Sequence, residues 1–575
     1  MVYHDPAILE KANAWLTATF DEETQQAIKE NIAHNPDELA DSFYKNLEFG
    51  TGGMRGIMGA GTNRINKYTL GKNTQGLSDY LHKQFPDKKI KVAIAYDCRH
   101  NSKELAQVVA NVFSANGIKV FLFSNLRPTP ELSFAVRHLD CQCGIVLTAS
   151  HNPPEYNGYK VYWEDGGQLV PPQDNEVIAT IDALDFSAIK FNGDDSLIEL
   201  VDKEVDKAFV DASVANVSFG LTSETKKDLN IVFTSLHGTS ITLVPDTLRQ
   251  AGFTNLHIVK EQEVPDGNFP TVVSPNPEET AALKMALELG EEKNADIVIG
   301  TDPDCDRLGI AVRGDDGKLT ILNGNQTMIL MTDYLLERFR ESANQHPAPF
   351  IGSTIVSTPM MDILADAYDV ECKTGLTGFK WIAKMIVDYP NQHFVGGGEE
   401  SFGYMVGDFV RDKDAVTATL LACTIAAQAK EQGQTLFEKL KTLYVKHGFY
   451  KETLIALVKK GQSGAEEIKQ MLKDLRLEPM KEINGSKVIR VEDYQSSTSR
   501  DLLTGETTTI DVPKSNVLIF YTEDGSKVAA RPSGTEPKVK FYISVNAPLA
   551  SLSEYDTISA TLDKRLAGIK NALGV

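Results

Sequence analysis

The sequence predicts an α/β protein that ends in an α+β domain. Three segments place an amphipathic helix between two apolar strands, and this alternation is typical of layered α/β domains. The C-terminal part departs from this order, because a helix, a hairpin, a further strand and a closing helix follow one another there. The chain has 575 residues, which is too long for one hydrophobic core, so about three to five domains are expected.

The N-terminal part precedes the first of these units. Residues 7–39 have the apolar spacing of helices, with acidic residues at the start of "DEETQQAIKENI". A glycine-rich stretch follows, "FGTGGMRGIMGAGTNRI". The first unit then consists of the strand "KVAIAYD" (91–97), a helix over "SKELAQVVANVFSANG" and the strand "KVFLF" (119–123).

The same order of elements recurs twice. The second unit is the strand "IVFTSL" (231–236), a helix through "TLVPDTLRQAG" and the strand "NLHIV". The third is the strand "FIGSTIVST" (350–358), a helix through "MMDILADAY" and the strand "VECKT". The units share no strict sequence repeat, but their similar size indicates three related α/β domains. Each leading strand ends in a loop rich in Gly, Ser, Thr or Asp, where functional residues commonly lie.

The C-terminal part begins with a helix, "GAEEIKQMLKDLRLEP". The stretch "NVLIFYTEDGSKVAARPSGTEPKVKFYISV" predicts a hairpin with Asp524 and Gly525 at its turn, followed by a loop and another strand. A last helix is expected from about Ser553. This pattern predicts a separate α+β domain, joined by a linker near residues 445–460.

Composition excludes several classes of function. The formal net charge is −21 and the pI is about 5.1, whereas a nucleic-acid interface needs clustered Lys and Arg. Anions must therefore bind in small local sites. The N-terminus lacks the apolar core of a signal peptide, and no stretch approaches the ~20 apolar residues of a membrane span. We expect a soluble, cytoplasmic protein with neither a nucleic-acid nor a membrane partner.

The six cysteines lie at positions 98, 141, 143, 305, 372 and 423. They form no Cys-x-x-Cys pair and no paired His spacing accompanies them, so neither a zinc site nor a disulfide framework is expected. Cys141 and Cys143 stand close enough in sequence to share a metal ion. They precede "GIVLT", however, and fit the start of a buried strand better.

The stretch "TASHNPPEYNGYK" (148–160) contains a serine, Ser150, that the usual patterns do not explain. Ala149 and His151 flank it, so it does not stand in the Gly-x-Ser-x-Gly turn of a serine hydrolase. It is not an obvious helix cap either, because two prolines follow shortly after it. The residue pattern alone leaves the role of Ser150 open.

Three aspartates at alternate positions follow the apolar strand in "IVIGTDPDCDRLGIAV": Asp302, Asp304 and Asp306. Carboxylates at i, i+2 and i+4 of a turning loop can converge on one cation, and Mg²⁺ prefers such oxygen ligands. An EF-hand does not fit, since Arg307 stands at loop position six and Arg313 at position twelve. The alternative is that the acids cap a helix or are merely solvated.

The stretch "AARPSGTEPKVKFY" contains the parts of an anion site. Arg531 presents a planar fork to a phosphate. Ser533 and Thr535 add hydroxyls, and Gly534 lets backbone amides approach closely. On composition alone a simple hairpin connection is an equal alternative. The need for a compact anion site in an acidic protein favours phosphate binding.

Adjacent carboxylates, Glu399 and Glu400, stand with Ser401 in the glycine-rich stretch "FVGGGEESFGYMVGDFVRDKDA". Carboxylates held in a loop without cations suit sugar hydroxyls, which need charged acceptors. A solvated acidic turn is the alternative, and on this observation alone it is the simpler one.

Two common nucleotide-binding signatures are missing from the sequence. No Gly-x-x-x-x-Gly-Lys-[Ser/Thr] occurs, and "GTGGMRG" departs from the dinucleotide-binding pattern at Arg55. Neither a nucleoside-triphosphate kinase nor a Rossmann dehydrogenase is therefore indicated.

Taken together and in this order, four loops resemble those of the α-D-phosphohexomutase family. They are "TASHNP" (148–153), "DPDCDR" (302–307), "GEESFG" (398–403) and "RPSGTEP" (531–537). The similarity covers about residues 45–575. The N-terminal segment and "EFGTGGMRG" are similar to the branch that contains the phosphoglucomutase-2 and phosphopentomutase-like enzymes.

The resemblance implies four domains around a central cleft: three related α/β domains with mixed sheets, then a smaller α+β domain. The expected ranges are a helical extension at 1–44, a phosphoserine-loop domain at 45–215, a metal-loop domain at 216–323, a sugar-loop domain at 324–450 and a phosphate-loop domain at 451–575. Each domain would contribute one loop to the cleft. Closure of the last domain over the substrate is expected.

The resemblance also implies roles for individual residues. The expected ligands of one Mg²⁺ ion are Ser150, Asp302, Asp304 and Asp306. The expected catalytic residues are Ser150, which carries a phosphoryl group, and His151, Lys160, Arg307 and Arg55. The expected substrate-binding residues are Glu399 and Ser401 for sugar hydroxyls, Lys380 as a second contact, and Arg531, Ser533, Gly534 and Thr535 for the non-reacting phosphate.

Lys160 is the implied general acid/base, a role that requires nearby cations and desolvation to lower its pKa. Arg307 would stabilise charge on the transferred group, and Arg55 would be a further basic contact in the cleft. His151 either assists proton movement or shapes the loop through a ring hydrogen bond.

The implied activity is that of an intramolecular phosphotransferase of the isomerase class. It interconverts α-D-glucose 1-phosphate and glucose 6-phosphate through a phosphoserine enzyme and bound glucose 1,6-bisphosphate, the expected activator. "GEESFG" favours glucose, whereas the second Pro and the Tyr of "HNPPEYNGYK" leave a phosphopentomutase or phosphomannomutase open. Sugar phosphates are the expected partners of a monomer or dimer.

Two rivals come from other functional classes. A sugar-phosphate-binding regulator without turnover is disfavoured because all the candidate chemical groups are present. A serine hydrolase is disfavoured because no His and acid partners can be named for Ser150.

Overall fold

The computed structural model describes residues 5–50, 52–342, 346–459, 461–533 and 538–574. Four β-sheets form from four consecutive parts of the chain. The first three carry helices in α/β layers, and the fourth is an antiparallel sheet with two helices. This confirms the predicted architecture of three α/β domains followed by an α+β domain.

Three helices form the N-terminal extension: α1 (Pro6–Ala14), α2 (Glu22–His34) and α3 (Pro36–Phe43). The side chain of Asp21 caps α2 by accepting a hydrogen bond from the backbone N–H of Thr24. An aromatic cluster lies between the helices and the first sheet's domain, and it contains Trp15, Phe20, Phe43 and Tyr68. The extension is therefore packed onto that domain.

The first sheet is mixed and has the strand order β1–β5–β4–β2–β3–β6. Its strands are β1 (Gly53–Ile57), β2 (Lys91–Tyr96), β3 (Lys119–Phe123), β4 (Cys143–Leu147), β5 (Tyr156–Trp163) and β6 (Ile198–Val201). Its helices are α4 (Lys67–Gln84), α5 (Ser102–Ala115), α6 (Thr129–His138), α7 (Gln173–Asp182) and α8 (Lys203–Asn216). Val92 and Ile94 of β2 pack into one hydrophobic cluster and Ala93 and Ala95 into another, as expected for a strand covered on both faces.

The second sheet has the order β11–β10–β9–β7–β8. Its strands are β7 (Ile231–Thr234), β8 (Leu256–Ile258), β9 (Ile297–Thr301), β10 (Leu308–Arg313) and β11 (Leu319–Leu322). Its helices are α9 (Ser223–Asp228), α10 (Val244–Gln250) and α11 (Lys284–Glu292). Strand β10 runs antiparallel to β9, so the loop between them folds back sharply at the end of the sheet.

The third sheet has the order β13–β12–β14–β15. Its strands are β12 (Pro349–Thr354), β13 (Glu371–Gly375), β14 (His393–Glu399) and β15 (Gly403–Val406). Its helices are α12 (Gly324–Glu341), α13 (Met360–Ala367), α14 (Lys380–Asp388), α15 (Ala415–Glu431) and α16 (Leu436–His447). Asp414 caps α15 through the N–H groups of Val416 and Thr417, which fixes the start of this buried helix.

The fourth sheet is antiparallel, with β17 beside β18 and the main order β16–β23–β22–β21–β18–β19–β20. Its strands are β16 (Phe449–Val458), β17 (Glu482–Ile483), β18 (Ser486–Asp493), β19 (Thr498–Asp501), β20 (Thr507–Thr509), β21 (Leu518–Thr522), β22 (Lys527–Pro532) and β23 (Lys538–Ala547). Its helices are α17 (Gly461–Leu477) and α18 (Tyr555–Leu573). The predicted hairpin corresponds to β21 and β22, with Gly525 at φ +79° in the turn.

The chain passes from helix α16 to strand β16 at Gly448, inside the range 445–460 predicted for the linker, but most of that range is regular structure and not linker. Helix α16 runs to His447, and β16 then pairs with β23 along its whole length, from Phe449 opposite Ala547 to Val458 opposite Lys538. The segment is thus an edge strand of the fourth sheet. The exact domain boundaries named above stay predictions.

The second, third and fourth sheets share one continuous hydrophobic cluster, which includes Ile231, Ile351 and Phe541. The first sheet packs around clusters of its own. Among the described helices, none combines the length and apolar character needed to cross a membrane.

Candidate active site

A cavity of about 630 Å³ lies where loops from all four sheets meet. Ser150 follows β4, Asp306 follows β9, Glu399 ends β14 and Arg531 lies near the end of β22, and all four line the cavity. Polar side chains at the carboxyl ends of sheet strands are the usual place for a site in α/β proteins. The central cleft implied by the resemblance therefore exists.

Ser150 sits in a loop with unusual backbone geometry. Its φ is +51°, a left-handed conformation that a non-glycine residue adopts only when its surroundings enforce it. The buried guanidinium of Arg99 donates to the carbonyl oxygens of Ser150 at 2.6 Å, Pro153 at 2.8 Å and Tyr156 at 3.0 Å, and also to that of Asn152. One side chain thus holds the loop in shape.

The three predicted metal-binding aspartates converge. Asp302, Asp304 and Asp306 are buried, and one carboxylate oxygen from each lies within 4.8 Å of the others. Asp302 Oδ1 accepts backbone hydrogen bonds from Asp306 at 3.0 Å and Arg307 at 2.9 Å. Asp302 Oδ2 accepts a hydrogen bond from Ser150 Oγ at 2.7 Å. The hydroxyl of Ser150 therefore lies beside the carboxylate cluster.

The cluster has the donor set of a hard cation site. Among the described residues, Oδ1 of Asp304 and Oδ1 of Asp306 are buried and have no hydrogen-bond partner. Buried carboxylate oxygens without a donor are costly unless a cation or proton satisfies them. Oxygen ligands of this kind suit Mg²⁺ or a similar ion. The residues fit a divalent cation.

Two lysines neutralise part of this negative charge. Lys160, on β5, donates to Asp304 Oδ2 at 2.7 Å and Asp306 Oδ2 at 3.1 Å, and Lys413 Nζ lies 3.2 Å from Asp306 Oδ2. Burial alone would raise the pKa of Asp306, but the two lysines outweigh burial and lower it. No lysine of the described residues pairs with Asp302, and burial together with the two neighbouring carboxylates raises its pKa well above the usual value.

The pKa of Lys160 is shifted opposite to the direction that a general base needs. Burial alone would lower it, but Asp304 and Asp306 outweigh burial and raise it. In this geometry Lys160 is a protonated donor directed at the carboxylates.

The other predicted catalytic residues lie around the serine. His151 Nδ1 is 3.1 Å from Ser150 Oγ, and burial, Arg307 and Arg55 lower the pKa of His151 to about 3. Arg55 donates to Asn152 Oδ1 at 2.9 Å. His151, Arg55 and Arg307 all line the cavity, so two guanidinium groups face the serine loop.

On the side of the third sheet, the cavity is lined by Glu399, Ser401 and Lys380. Burial, opposed by Lys413, raises the pKa of Glu399 to about 7. Burial lowers the pKa of Lys380 to about 8. Glu400, by contrast, accepts hydrogen bonds from Thr354 Oγ1 at 3.1 Å and Ser357 Oγ at 3.0 Å. Glu400 is thus held by side chains of the third domain, whereas Glu399 interacts with Lys413 and Ser401.

The fourth sheet contributes a basic wall to the cavity. Arg531 on β22 stands opposite Lys540 on β23, and both line the cavity. The N–H of Ser533 donates to the carbonyl of Lys538 at 2.7 Å, which closes the base of the loop. Gly534 and Thr535, predicted to bind phosphate, lie outside the described residues.

Several residues of the site were not singled out from the sequence: Arg99, Glu278, Lys413 and Lys540. Lys413 belongs to the stretch "RDKDA" after the sugar loop, but nothing in its spacing indicates that it reaches Asp306. Arg99 follows β2 in "YDCRH", and its partners lie in a loop more distant in sequence. Only the fold brings these side chains to the site.

Comparisons with known proteins agree with this geometry. Residues 46–188, 207–317 and 323–446 match, respectively, the α/β/α domains I, II and III of phosphoglucomutase/phosphomannomutase. A phosphoglucomutase of Staphylococcus epidermidis is 38% identical over 534 residues, which is 92% of this chain and 95% of the relative. A phosphoglucomutase of Staphylococcus aureus is 40% identical over 518 residues, 89% and 92% of the two chains.

A similar fold is also seen in a solved structure. The open form of parafusin from Paramecium, a phosphoglucomutase, matches with a TM-score of 0.68 at 18% identity, covering 92% of this chain and 95% of that one. At this identity the likeness concerns the fold alone.

Proposed function

The chain belongs to the phosphoglucomutase/phosphomannomutase family of α-D-phosphohexomutases, and from that premise we propose that it is a phosphoglucomutase. It interconverts α-D-glucose 1-phosphate and glucose 6-phosphate as an intramolecular phosphotransferase. The observation that carries the proposal is the position of Ser150 Oγ, 2.7 Å from Asp302 at the edge of the buried aspartate cluster. A hydroxyl there can carry a phosphoryl group and pass it to a sugar in the cavity.

The reaction conserves all atoms. Phosphorylated Ser150 gives its phosphoryl group to the free hydroxyl of a sugar monophosphate: the bond from Oγ to phosphorus breaks, a bond from the sugar oxygen to phosphorus forms, and Oγ of Ser150 ends with a proton in place of the one that the sugar hydroxyl loses. The product is a bound glucose 1,6-bisphosphate. After this intermediate turns over, its other phosphoryl group returns to Ser150, and the second monophosphate is released.

A divalent cation, Mg²⁺ in our proposal, would be held by Ser150, Asp302, Asp304 and Asp306. It would neutralise the negative charge on the phosphoryl oxygens during phosphoryl transfer. The protein's own part is to position groups and to provide fixed positive charge.

The side chains around Ser150 would divide this work. Arg307 and Arg55 provide positive charge beside the transferred group, since both line the same cavity as Ser150. Lys160 would be the general acid/base, as the resemblance implies; because Asp304 and Asp306 raise its pKa in this geometry, a cation bound to these aspartates would have to weaken their hold on the lysine before its proton can move. His151, neutral because of its low pKa, orients the serine hydroxyl through its ring nitrogen.

The remaining predicted residues would bind the substrate. Glu399 accepts hydrogen bonds from sugar hydroxyls, Ser401 exchanges hydrogen bonds with them, and Lys380 is a second contact. Arg531, Ser533, Gly534 and Thr535 hold the phosphate that is not being transferred. The proposed reaction requires the bisphosphate to bind in two orientations, so that either of its phosphates can face Ser150. Glucose 1,6-bisphosphate is accordingly the proposed activator.

The proposal is tested by side-by-side turnover of glucose 1-phosphate, ribose 1-phosphate and mannose 1-phosphate with Mg²⁺ and a trace of the matching bisphosphate. We expect kcat/KM to be highest for glucose 1-phosphate, and Ser150→Ala to abolish turnover of all three. If kcat/KM for ribose 1-phosphate exceeded that for glucose 1-phosphate by more than about tenfold, which is about 1.4 kcal/mol in the barrier, the preferred substrate would be a pentose phosphate and not glucose 1-phosphate.

A further inference from the structure

A long loop of the second domain reaches the catalytic cavity between β8 and α11. Two of its residues, Asn276 and Glu278, line the cavity. Neither residue belongs to the four loops recognised in the sequence, and the proposed reaction does not use them directly. A carboxylate that faces a site for negatively charged phosphates is unexpected, since it would repel them unless a cation lies between.

The cation beside this carboxylate is the guanidinium of Arg307. Arg307 Nη1 donates a short hydrogen bond to Glu278 Oε1, and Arg307 Nε lies 3.9 Å from Asp306 Oδ1. Burial alone would lower the pKa of Arg307, but Glu278 and then Asp306 outweigh burial and raise it. Glu278 thus holds the guanidinium at Nη1, whereas Asp306 lies nearest to Nε.

The backbone of Glu278 is fixed to the strand that follows Arg307. The carbonyl of Pro277 lies against Gly309 of β10, where a Cβ atom would be only 2.6 Å from that oxygen. The N–H of Glu278 donates to Asn276 Oδ1 at 3.2 Å, and the N–H of Glu279 donates to the Asn276 carbonyl at 3.0 Å. The backbone that carries the Glu278 carboxylate is therefore held in position.

The same loop is anchored on the domain that carries the serine. The ring of Phe269 lies 5.1 Å from the guanidinium of Arg99, the side chain that holds the carbonyl of Ser150. His100 Nε2 lies 2.8 Å from Asn268 Oδ1. One loop thus contacts both the support of Ser150 and the side chain of Arg307.

We propose that Glu278 is a positioning residue for Arg307, an inference that rests on the proposed phosphotransferase function. Among the described residues, Nε of Arg307 is buried without a hydrogen-bond partner, and the guanidinium has Asp306 close by on one side. Without Glu278 the guanidinium would turn onto the aspartate carboxylates. Holding one amino group on Glu278 keeps the rest of the planar fork available to the phosphoryl group.

A double-mutant cycle tests this role, with Glu278→Gln, Arg307→Gln and the double variant, each assayed with glucose 1-phosphate. We expect Glu278→Gln to lower kcat about tenfold, because misplacement of a charged group costs transition-state binding more than ground-state binding. In the Arg307→Gln background the same change should have little further effect. Glu278→Asp, which keeps the charge, should recover part of the loss.

Glu279→Gln is the matched control, because this neighbouring carboxylate is exposed and binds Ser274 Oγ instead; it should leave kcat unchanged. A merely structural role for Glu278 would lower kcat by the same factor with or without Arg307. That result, or a Glu278→Gln protein with the kcat of the wild type, would overturn the inference.

A binding measurement separates this inference from the proposed function. In a Ser150→Ala background, calorimetry with glucose 1,6-bisphosphate should show weaker binding for Glu278→Gln only while Arg307 is present. A wild-type protein that does not turn over glucose phosphate would refute the proposed function. The inference would then be decided by the binding cycle alone, and binding that is equal in all variants would refute it.

Discussion

Gly324 packs directly against the carbonyl oxygen of Glu400. A Cβ atom on Gly324 would lie 2.1 Å from that oxygen, far inside van der Waals contact. Since Gly324 begins α12 and Glu400 lies in the sugar loop, Gly324→Ala should displace the loop. We expect kcat/KM for glucose 1-phosphate to fall about tenfold or more.

Gly50→Ala is the control for this change, because a Cβ atom there would approach no closer than 3.6 Å to the carbonyl oxygen of Gly53. Steady-state kinetics of both variants should show a loss for Gly324→Ala alone. Equal kinetics for Gly324→Ala and wild type would mean that the sugar loop does not depend on this contact.

The aspartate cluster predicts stabilisation by Mg²⁺ that can be measured without turnover. Three buried carboxylates within 4.8 Å repel one another, and a bound cation stabilises the folded state by about 2.7 kcal/mol at a hundred times its Kd. Calorimetry should show a higher Tm in Mg²⁺ than in chelator. Asp304→Asn should lose most of this difference, whereas the exposed Asp87→Asn should keep it. A Tm unaffected by Mg²⁺ in the wild type would contradict a cation site.

The raised pKa of Glu399 predicts that substrate binding depends on pH. Burial, opposed by Lys413, raises the pKa of Glu399 to about 7, so the carboxylate gains a proton as the pH falls from 8 to 6. A protonated acid is a weaker acceptor for sugar hydroxyls, and hydrogen bonds to charged groups contribute about 1.5–3 kcal/mol. KM for glucose 1-phosphate should therefore rise about tenfold or more as the pH falls.

Glu399→Gln supplies the control for the titration of the substrate's own phosphate. This variant should have a high KM at every pH, with only the small change that the phosphate contributes. If wild type and Glu399→Gln showed parallel pH profiles, the titrating group would not be Glu399.

A buried contact between the first and third domains predicts a loss of stability. Tyr162 OH donates to Asp412 Oδ2 at 2.6 Å, and leaving such an acceptor unpaired costs about 1–3 kcal/mol. Tyr162→Phe should lower the Tm of the affected transition by about 2–4 °C per kcal/mol for a unit of 150–250 residues. Tyr44→Phe, at a ring that is 53% exposed, should leave the Tm unchanged. Equal Tm values would show that this contact contributes nothing.

Strand β2 could be predicted from the sequence because it is buried on both faces. "KVAIAYD" is a continuous apolar run, and β2 is covered by two hydrophobic clusters, so its pattern and its environment agree. Strand β16 could not be recognised in the same way. Its first residue is buried and the next four are half-buried, so that only the last five alternate between exposed and half-buried. Its partner β23 follows much later in the chain, so the local pattern alone did not mark the whole segment as a strand.

In the site, too, local spacing could be predicted from the sequence, whereas contacts between distant segments could not. The clustering of Asp302, Asp304 and Asp306 followed from their alternate spacing, but the proximity of Ser150 came only from the family resemblance. The left-handed backbone of Ser150, its support by Arg99 and the contact of Lys413 with Asp306 arise from tertiary contacts. The hydrogen bond from Arg307 to Glu278 joins two separate loops of the second domain, and the spacing of these residues in the sequence does not indicate it.

The most direct test of the central claim is the intact mass of the protein before and after incubation with glucose 1,6-bisphosphate and Mg²⁺, with peptide mapping. We predict a gain of one phosphoryl group on the peptide that contains Ser150, reversed by excess glucose 1-phosphate and absent in Ser150→Ala. A catalytically active protein whose Ser150 peptide never gains this mass, or a phosphoryl group mapped to another residue, would contradict the account.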